Sequence, residues 1–167
     1  ATQFAAHKHC DHRRKDGKTP YIIHTISVAM ILAEIGGVDD PEILSAALLH
    51  DTIEDTDTSA HELDKEFGSR VRIIVEELTD NNQLTFSQRK QMQIDNAPHL
   101  SKDATLVKIA DKISNVSDVI ENPPPEWNQK RCNKYVDWAE AVMNNCQKVN
   151  QDLENHFFEL LTEYRKL

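Results

Sequence analysis

One histidine and three carboxylates lie within six residues, in the order His50-Asp51-Thr-Ile-Glu54-Asp55. In a helix, residues four apart share a face, so His50 would lie beside Glu54 and Asp51 beside Asp55. The preceding residues 43–49 are almost all apolar and are predicted to be buried. Charge next to a buried segment is unfavourable unless a cation or a partner charge offsets it. The pattern therefore indicates a metal site.

Two more residues extend this candidate site. His24 lies at the start of a predicted helix, where a single histidine is more often a capping or core residue than a ligand. Asp111 lies in an apolar stretch, where its carboxylate either pairs with Lys108 or Lys112 or serves as a ligand. Two imidazoles and two carboxylates suit Mn²⁺, Fe²⁺ or Zn²⁺, with positions left for water. The four candidate ligands are His24, His50, Asp51 and Asp111.

Positive charge is concentrated just before His24. The basic residues of this segment are Lys8, Arg13, Arg14, Lys15 and Lys18. Such a run usually forms a solvated surface, but its position next to a candidate ligand favours an anionic, phosphorylated substrate. Arginine suits stacking on a base, and lysine suits a diffuse phosphate charge.

The whole chain excludes several classes of protein. Its 167 residues indicate one domain spanning residues 1–167. The formal charge of −9 argues against nucleic-acid or acidic-membrane binding. No apolar run reaches the roughly 20 residues that span a bilayer. The three cysteines are widely spaced and form no CxxC pair, which favours a reducing compartment, and we expect a cytoplasmic location. The oligomeric state is not indicated.

The elements that position these residues are predicted to be helices. Glycine is scarce, no segment alternates with period two, and apolar residues recur at helical spacing, so the fold is predicted to be all-α. The predicted helices lie near residues 2–13, 21–36, 41–50, 59–67, 69–80, 85–97, 103–121, 128–148 and 150–165. The aromatic residues Trp127, Tyr135 and Trp138 are predicted to pack in the core.

The order His, His-Asp, Asp resembles the HD-domain metallo-phosphohydrolases. The similarity is greater with hydrolases of guanosine 3′,5′-bis(diphosphate), ppGpp, because residues 14–24, 46–56 and 107–115 are similar to that group's three motifs in order. Glu77-Leu-Thr-Asp80 and Trp127 also fit. The resemblance covers nearly the whole chain and points to the stand-alone metazoan SpoT homologues of the RelA/SpoT family. It implies an HD-domain bundle of roughly eight to ten helices.

The resemblance also implies roles for individual residues. The four candidate ligands would bind one Mn²⁺ ion, with Zn²⁺ or Fe²⁺ as other candidates. The implied acid/base pair acting on the attacking water is Glu54 and Asp55. The implied substrate-binding residues are Arg14, which would stack on guanine, Lys15, Lys112 and Asn115. The implied reaction is metal-dependent hydrolysis of ppGpp to GDP and pyrophosphate.

Two alternatives stay open. The same site could remove the 2′-phosphate of NADPH, an activity also associated with the metazoan family, or the chain could be a catalytically silent nucleotide-binding module. Two departures from the family pattern concern substrate contacts. Ser117 stands where homologues usually carry arginine, and Asp80-Asn81-Asn82 stands where metazoan members often have Asp-Asp-Lys.

Overall fold

The structure is a computed structural model that describes residues 1–166. Over those residues it contains ten α-helices and no strand, so the all-α prediction is confirmed. The helices are α1 (Thr2–Lys8), α2 (Ile22–Glu34), α3 (Pro41–Leu49), α4 (Thr52–Asp55), α5 (Ala60–Phe67), α6 (Ser69–Leu78), α7 (Phe86–Asn96), α8 (Lys102–Glu121), α9 (Gln129–Asn145) and α10 (Gln151–Tyr164), with a 3-10 helix over Ala97–His99. Within the described residues, no helix is long and apolar enough to cross a membrane.

Helix α8 lies at the centre of the fold. It packs against α2, α3, α6, α9 and α10. Every residue from Ala104 to Ser114 is buried, so the helix is covered on all sides over three turns. Asp111 lies in this covered part, which explains why a carboxylate there needs dedicated partners.

The start of α10 is fixed to the end of α2. The side-chain amide of Asn150 donates to the Gly36 carbonyl (2.8 Å), and its oxygen caps α10 by accepting from the Leu153 N–H (3.1 Å). A Cβ at Gly36 would lie 2.8 Å from the Leu32 carbonyl oxygen and 3.0 Å from Leu153 Cδ1. Only glycine therefore allows this close packing of α10 on α2.

The first helix is shorter than predicted, ending at Lys8 instead of near residue 13. Backbone hydrogen bonds join Arg14 N–H to the Thr19 carbonyl (2.8 Å) and Tyr21 N–H to the His12 carbonyl (3.0 Å). These bonds close a loop over residues 9–21, and its turn contains Gly17 at φ +72°. The basic segment is therefore a loop leading into α2 and not a helical face.

Candidate metal centre and substrate cleft

The string of residues 50–55 does not form one continuous helix. Helix α3 ends at Leu49, and Asp51, with φ −98° and ψ 0°, turns the chain into the single-turn helix α4. The Thr52 hydroxyl donates to the Leu49 carbonyl (2.6 Å), which stabilises this turn. As a result, His50 Nε2 and Asp51 Oδ2 lie only 2.9 Å apart.

Three of the four candidate ligands come together in the interior. His24 comes from the first turn of α2, His50 from the end of α3 and Asp111 from α8, and all three are buried. One side-chain nitrogen or oxygen of each lies within 4.8 Å of the others. His24 Nε2 lies 3.2 Å from Asp111 Oδ1, and the fourth candidate, Asp51, places Oδ2 3.8 Å from the same nitrogen.

His50 is oriented as a metal ligand would be. Its Nδ1 lies 2.8 Å from the Ala47 carbonyl, which can only accept a hydrogen bond, so Nδ1 carries the proton. Its buried Nε2 lies 2.9 Å from Asp51 Oδ2 but makes no well-aligned hydrogen bond to a described residue, so it is directed into the cluster. Burial opposes a charge on His50, but Asp51 and Asp111 together raise its pKa to about 9. The cluster therefore attracts positive charge to this point, and its donors fit a divalent cation.

Asp111 is held by two of the residues predicted to bind substrate. Lys112 Nζ donates to Asp111 Oδ2 (3.1 Å), and the amide nitrogen of Asn115 donates to Oδ1 (2.5 Å). Although burial opposes it, the Lys112 ammonium keeps the pKa of Asp111 well below its usual range. Of the two lysines that could pair with this carboxylate, Lys112 is therefore the partner, and the Lys108 ammonium makes no ion pair within residues 1–166.

Two supporting residues were not identified from the sequence. Ser114 Oγ lies 3.1 Å from His24 Nδ1, and the Tyr21 hydroxyl donates to Asp51 Oδ2 (2.6 Å). Burial raises the pKa of Tyr21 above its usual range, so the hydroxyl remains a donor at neutral pH. The sequence signal for Tyr21 was its position three residues before His24, which places it one turn away at the entrance to α2.

Replacing Tyr21 with phenylalanine removes the hydrogen bond that orients Asp51 and leaves the ring packing in place. Loss of such a partner is expected to weaken metal binding about 10–100-fold. Titration with Mn²⁺, followed by calorimetry or electron paramagnetic resonance, measures this effect without an activity assay. The matched control is Tyr164→Phe, whose hydroxyl bonds Asn133 far from the cluster. Equal Mn²⁺ affinity in both variants would show that Tyr21 does not support the site.

The two predicted proton carriers lie in different environments. Glu54 lines the same cleft as the cluster, and its Oε2 accepts a hydrogen bond from the Asp80 N–H (2.9 Å). Removal from water raises the pKa of Glu54 to about 7, with further contributions from the nearby negative charges of Asp80 and Asp51. Asp55 is exposed and is not one of the described residues that line the cleft.

Residues next to Asp80 also hold the main chain of Glu54 in place. The amide of Asn82 donates to the Glu54 carbonyl (3.0 Å), and the Arg89 guanidinium donates to the Asn82 side-chain oxygen (2.9 Å). Gln93 donates to the Asp80 carboxylate (2.7 Å). The departure from the family pattern at residues 81–82 thus supplies an amide that bridges α4 and α7.

The cluster opens into a cleft of about 650 Å³. Nine of the residues lining it are lysine or arginine, although the chain as a whole carries −9, so positive charge is strongly concentrated there. The cations come from the loop over residues 9–21 and from helices α7, α8 and α9. Such a cleft is suited to a ligand with several negative charges.

Aromatic rings form one wall of this cleft. Tyr135 belongs to the buried core, and the half-buried Trp127 and Trp138 pack against it, as predicted. All three also line the cleft, which the core prediction did not include. The Lys90 ammonium lies 4.4 Å from the Trp138 ring centre, and the Arg131 guanidinium lies 4.6 Å from that of Trp127. Cations stack on these ring faces, which explains how tryptophans are stable in a polar cleft.

Arg14 and Lys15 both line the cleft but are held differently. The Arg14 guanidinium donates to the Asn115 side-chain oxygen (2.9 Å) and to Asp118 through Nε (3.1 Å), so its plane is fixed against α8. The Lys15 ammonium lies 5.1 Å from the ring centre of Trp127. Partial removal from water and the neighbouring charge of Arg14 lower the pKa of Lys15 to about 8.

Ser117, which stands where homologues usually carry arginine, lies outside the described lining of the cleft.

Comparison with known proteins agrees with this arrangement. The HD-domain family profile HD_4 matches residues 1–138. The Mus musculus protein named guanosine-3′,5′-bis(diphosphate) 3′-pyrophosphohydrolase MESH1 is 47% identical over 164 residues, covering 98% of this chain and 92% of that protein. The Homo sapiens protein of the same name is 46% identical over 163 residues, covering 95% of this chain and 91% of that protein.

A solved structure shows the same fold. It is described by the words "A metazoan ortholog of SpoT hydrolyzes ppGpp and plays a role in starvation responses" and superposes with a TM-score of 0.95 at 41% identity. The match covers 99% of this chain and 94% of that one. The resemblance found in the three sequence motifs is therefore confirmed. The chain belongs to the HD-domain family and, within it, to the metazoan SpoT homologues named guanosine-3′,5′-bis(diphosphate) 3′-pyrophosphohydrolase.

Proposed function

We propose that this chain is a metal-dependent hydrolase that removes the 3′-diphosphate of ppGpp, giving GDP and pyrophosphate. The observation that carries the proposal is that the buried cluster of His24, His50 and Asp111 opens into a cleft rich in lysine and arginine. The metazoan relatives that this chain matches over nearly its full length carry the name of that activity.

The residues that would hold the metal ion are His24, His50, Asp51 and Asp111. When bound, a divalent ion supplies Lewis-acid activation of water and offsets phosphate charge. We assign Mn²⁺ as the ion because two imidazoles and two carboxylates, none of them a thiolate, suit it. Tyr21, Ser114, Lys112 and Asn115 act behind the ligands, since each hydrogen-bonds to one of them or lies within hydrogen-bond distance of it.

Glu54 is the residue we assign to proton transfer. It lines the cleft, is oriented by the Asp80 N–H, and has a pKa of about 7, close to the pH at which the reaction would run. Its carboxylate accepts a proton from the attacking water, which adds to the phosphorus bonded to the ribose 3′-oxygen. The bond between that phosphorus and the 3′-oxygen breaks, and the 3′-oxygen takes up a proton from solvent while Glu54 later returns its own proton to solvent, which gives GDP and pyrophosphate.

The nucleotide itself would lie along the cationic and aromatic walls. Arg14 is held flat by Asn115 and Asp118, which suits stacking of its guanidinium on a purine base. Lys15 lies over the Trp127 ring in the wall of the cleft and supplies positive charge for a phosphate group there.

A product assay tests the proposal. Purified protein with Mn²⁺ is expected to release pyrophosphate and GDP from ppGpp, and NADPH under the same conditions serves as the competing substrate. Comparison of kcat/KM on the two nucleotides decides between the two phosphatase activities. Absence of pyrophosphate release at high enzyme concentration, with Mn²⁺, Zn²⁺ and Fe²⁺ each supplied, would refute the proposal.

A further inference from the structure

Lys108 is a buried lysine whose side-chain nitrogen has no ion-pair partner among residues 1–166. It is only 8% exposed, yet it lines the cleft. Within residues 1–166, its ammonium forms no hydrogen bond and no ion pair. Lys112, one turn later on α8, is paired with Asp111 and stacked 4.5 Å from the Trp138 ring centre. A buried and unpaired ammonium is unfavourable, so its presence in a cleft calls for an anionic partner.

The position of Lys108 identifies which part of an anionic ligand it would meet. It precedes Asp111 by three residues, so both side chains lie on the same side of α8. Burial and the charge of Lys112 lower the pKa of Lys108, and the negative charges of Asp111, Asp80 and Asp51 oppose this shift in part. Asp80 is also the residue whose N–H orients Glu54. Lys108 therefore lines the same cleft as the candidate metal ligands and the candidate proton carrier, on the side of α8 that carries Asp111.

Apart from Lys134, the other cations of the cleft have partners in the protein, including Arg13 and Arg89, which donate hydrogen bonds to a backbone carbonyl and to Asn82. Lys15, Lys90 and Arg131 lie over aromatic rings, and Arg14 is bonded to α8. Lys134 is exposed and therefore solvated. Lys108 is distinguished from them because its side chain is buried and no described residue forms an ion pair, a hydrogen bond or a ring contact with its ammonium.

We propose that Lys108 binds the non-bridging oxygens of the diphosphate group that is removed, and that it stabilises the negative charge of that group as its bond to the ribose breaks. The inference rests on the proposed function for the identity of the nucleotide. The anion-binding role of Lys108 itself rests only on its burial, its position and its lack of a partner. Burial and the neighbouring charge of Lys112 lower the pKa of Lys108, and the negative charge of a bound diphosphate would favour its ammonium form. Lys108 transfers no proton or electron in this role.

The central experiment replaces Lys108 with methionine, which is similar in length and apolar. Removing an unpaired buried charge is expected to leave the thermal unfolding temperature unchanged or to raise it. The same change is expected to lower kcat/KM on ppGpp about 10²–10³-fold, as loss of one donor to a developing charge does. Lys108→Arg is expected to recover part of the activity because it restores the cation. The control is Lys102→Met, at the exposed start of α8, which is expected to change neither quantity.

Binding of inorganic pyrophosphate provides a second readout that does not depend on turnover. Calorimetric titration of the Mn²⁺-loaded protein, at constant free Mn²⁺, is expected to give at least about tenfold weaker binding for Lys108→Met than for wild type. A variant that melts at lower temperature and keeps wild-type pyrophosphate affinity would show that Lys108 is only structural, and the inference would be overturned.

The two proposals fail in distinguishable ways. If wild type binds pyrophosphate through Lys108 but does not hydrolyse ppGpp, the proposed substrate is wrong and the anion site stands. If wild type hydrolyses ppGpp and Lys108→Met does so equally well, the proposed function stands and the role of Lys108 is refuted.

Discussion

Replacing His50 with alanine is expected to remove the metal ion and to lower the rate of pyrophosphate release by about 10³-fold or more, a barrier increase of about 4 kcal/mol. The reason is geometric. His50 Nδ1 is committed to the Ala47 carbonyl, so Nε2 is the only nitrogen that His50 offers to an ion. The ring centre of His24 lies 5.3 Å from that of His50, so His24 is a separate candidate ligand and does not replace it.

The measurement is metal content per chain after dialysis, determined by mass spectrometry, together with the rate of product release. His61→Ala is the matched control, since His61 is exposed on α5. Circular dichroism melting of both variants separates loss of the ion from loss of the fold. A His50→Ala protein that retains one ion per chain and near-normal turnover would contradict the assigned ligand set.

Replacing Glu54 with glutamine is expected to lower kcat about 10²–10⁴-fold with the metal still bound. Glutamine keeps the shape of the side chain, and its carbonyl oxygen still accepts the hydrogen bond from the Asp80 N–H. The substitution therefore removes only the ability to take up a proton. Metal content is measured in the same sample and is expected to equal that of wild type.

The pH dependence of kcat tests the direction of proton transfer. The pKa of Glu54 is raised to about 7, and a base works only in its deprotonated form. The wild-type rate is therefore expected to fall as pH drops below 7 and to level off above it. A bound cation would move this inflection to lower pH, because positive charge favours the carboxylate. In Glu54→Gln the inflection is expected to disappear. A wild-type rate that instead falls above pH 7 would make Glu54 an acid.

Asp55→Asn is the matched control for Glu54→Gln. It makes the same change of charge one residue later, but Asp55 is exposed and lies outside the described lining of the cleft. We expect Asp55→Asn to lower kcat less than about tenfold, because the Asp55 charge acts on the reaction only through long-range electrostatics. A loss equal to that of Glu54→Gln would instead support the joint acid/base pair implied by the family resemblance.

The helical class and the grouping of candidate ligands could be predicted from the sequence because both depend on local patterns. The apolar run around Asp111 leaves that carboxylate no solvated position on α8. The Asp40-Pro41 pair marks the start of α3, and Asp40 does cap it by accepting from the Glu42 N–H (2.9 Å). In each case a few neighbouring residues determine the outcome.

Features that depend on distant partners could not be predicted. Residues 9–13, at the start of the basic segment, are predicted to continue the first helix, but that helix ends at Lys8. The backbone of this segment instead pairs across the loop, from His12 to Tyr21. Trp127 and Trp138 are residue types that usually pack in a core. In the structure they also line the cleft, where Lys90 lies over the Trp138 ring and Arg131 over the Trp127 ring. Tertiary contacts override local preference in both cases.

Helix α7 carries part of the cleft wall but buries none of its own residues. It is attached through its contacts with α9, among them the hydrogen bond from the Trp138 indole to the Lys90 carbonyl (3.0 Å), and through Gln93 to Asp80. We therefore expect local opening of α7 to require less free energy than global unfolding of the protein. Arg89 and Lys90 are already held by Asn82 and by the Trp138 ring, so what a bound substrate has to order is the helix that carries them. Ordering this helix costs part of the free energy gained when a polyphosphate binds, so the net affinity is lower than the number of cations suggests. A lower affinity allows the charged product to leave after the reaction.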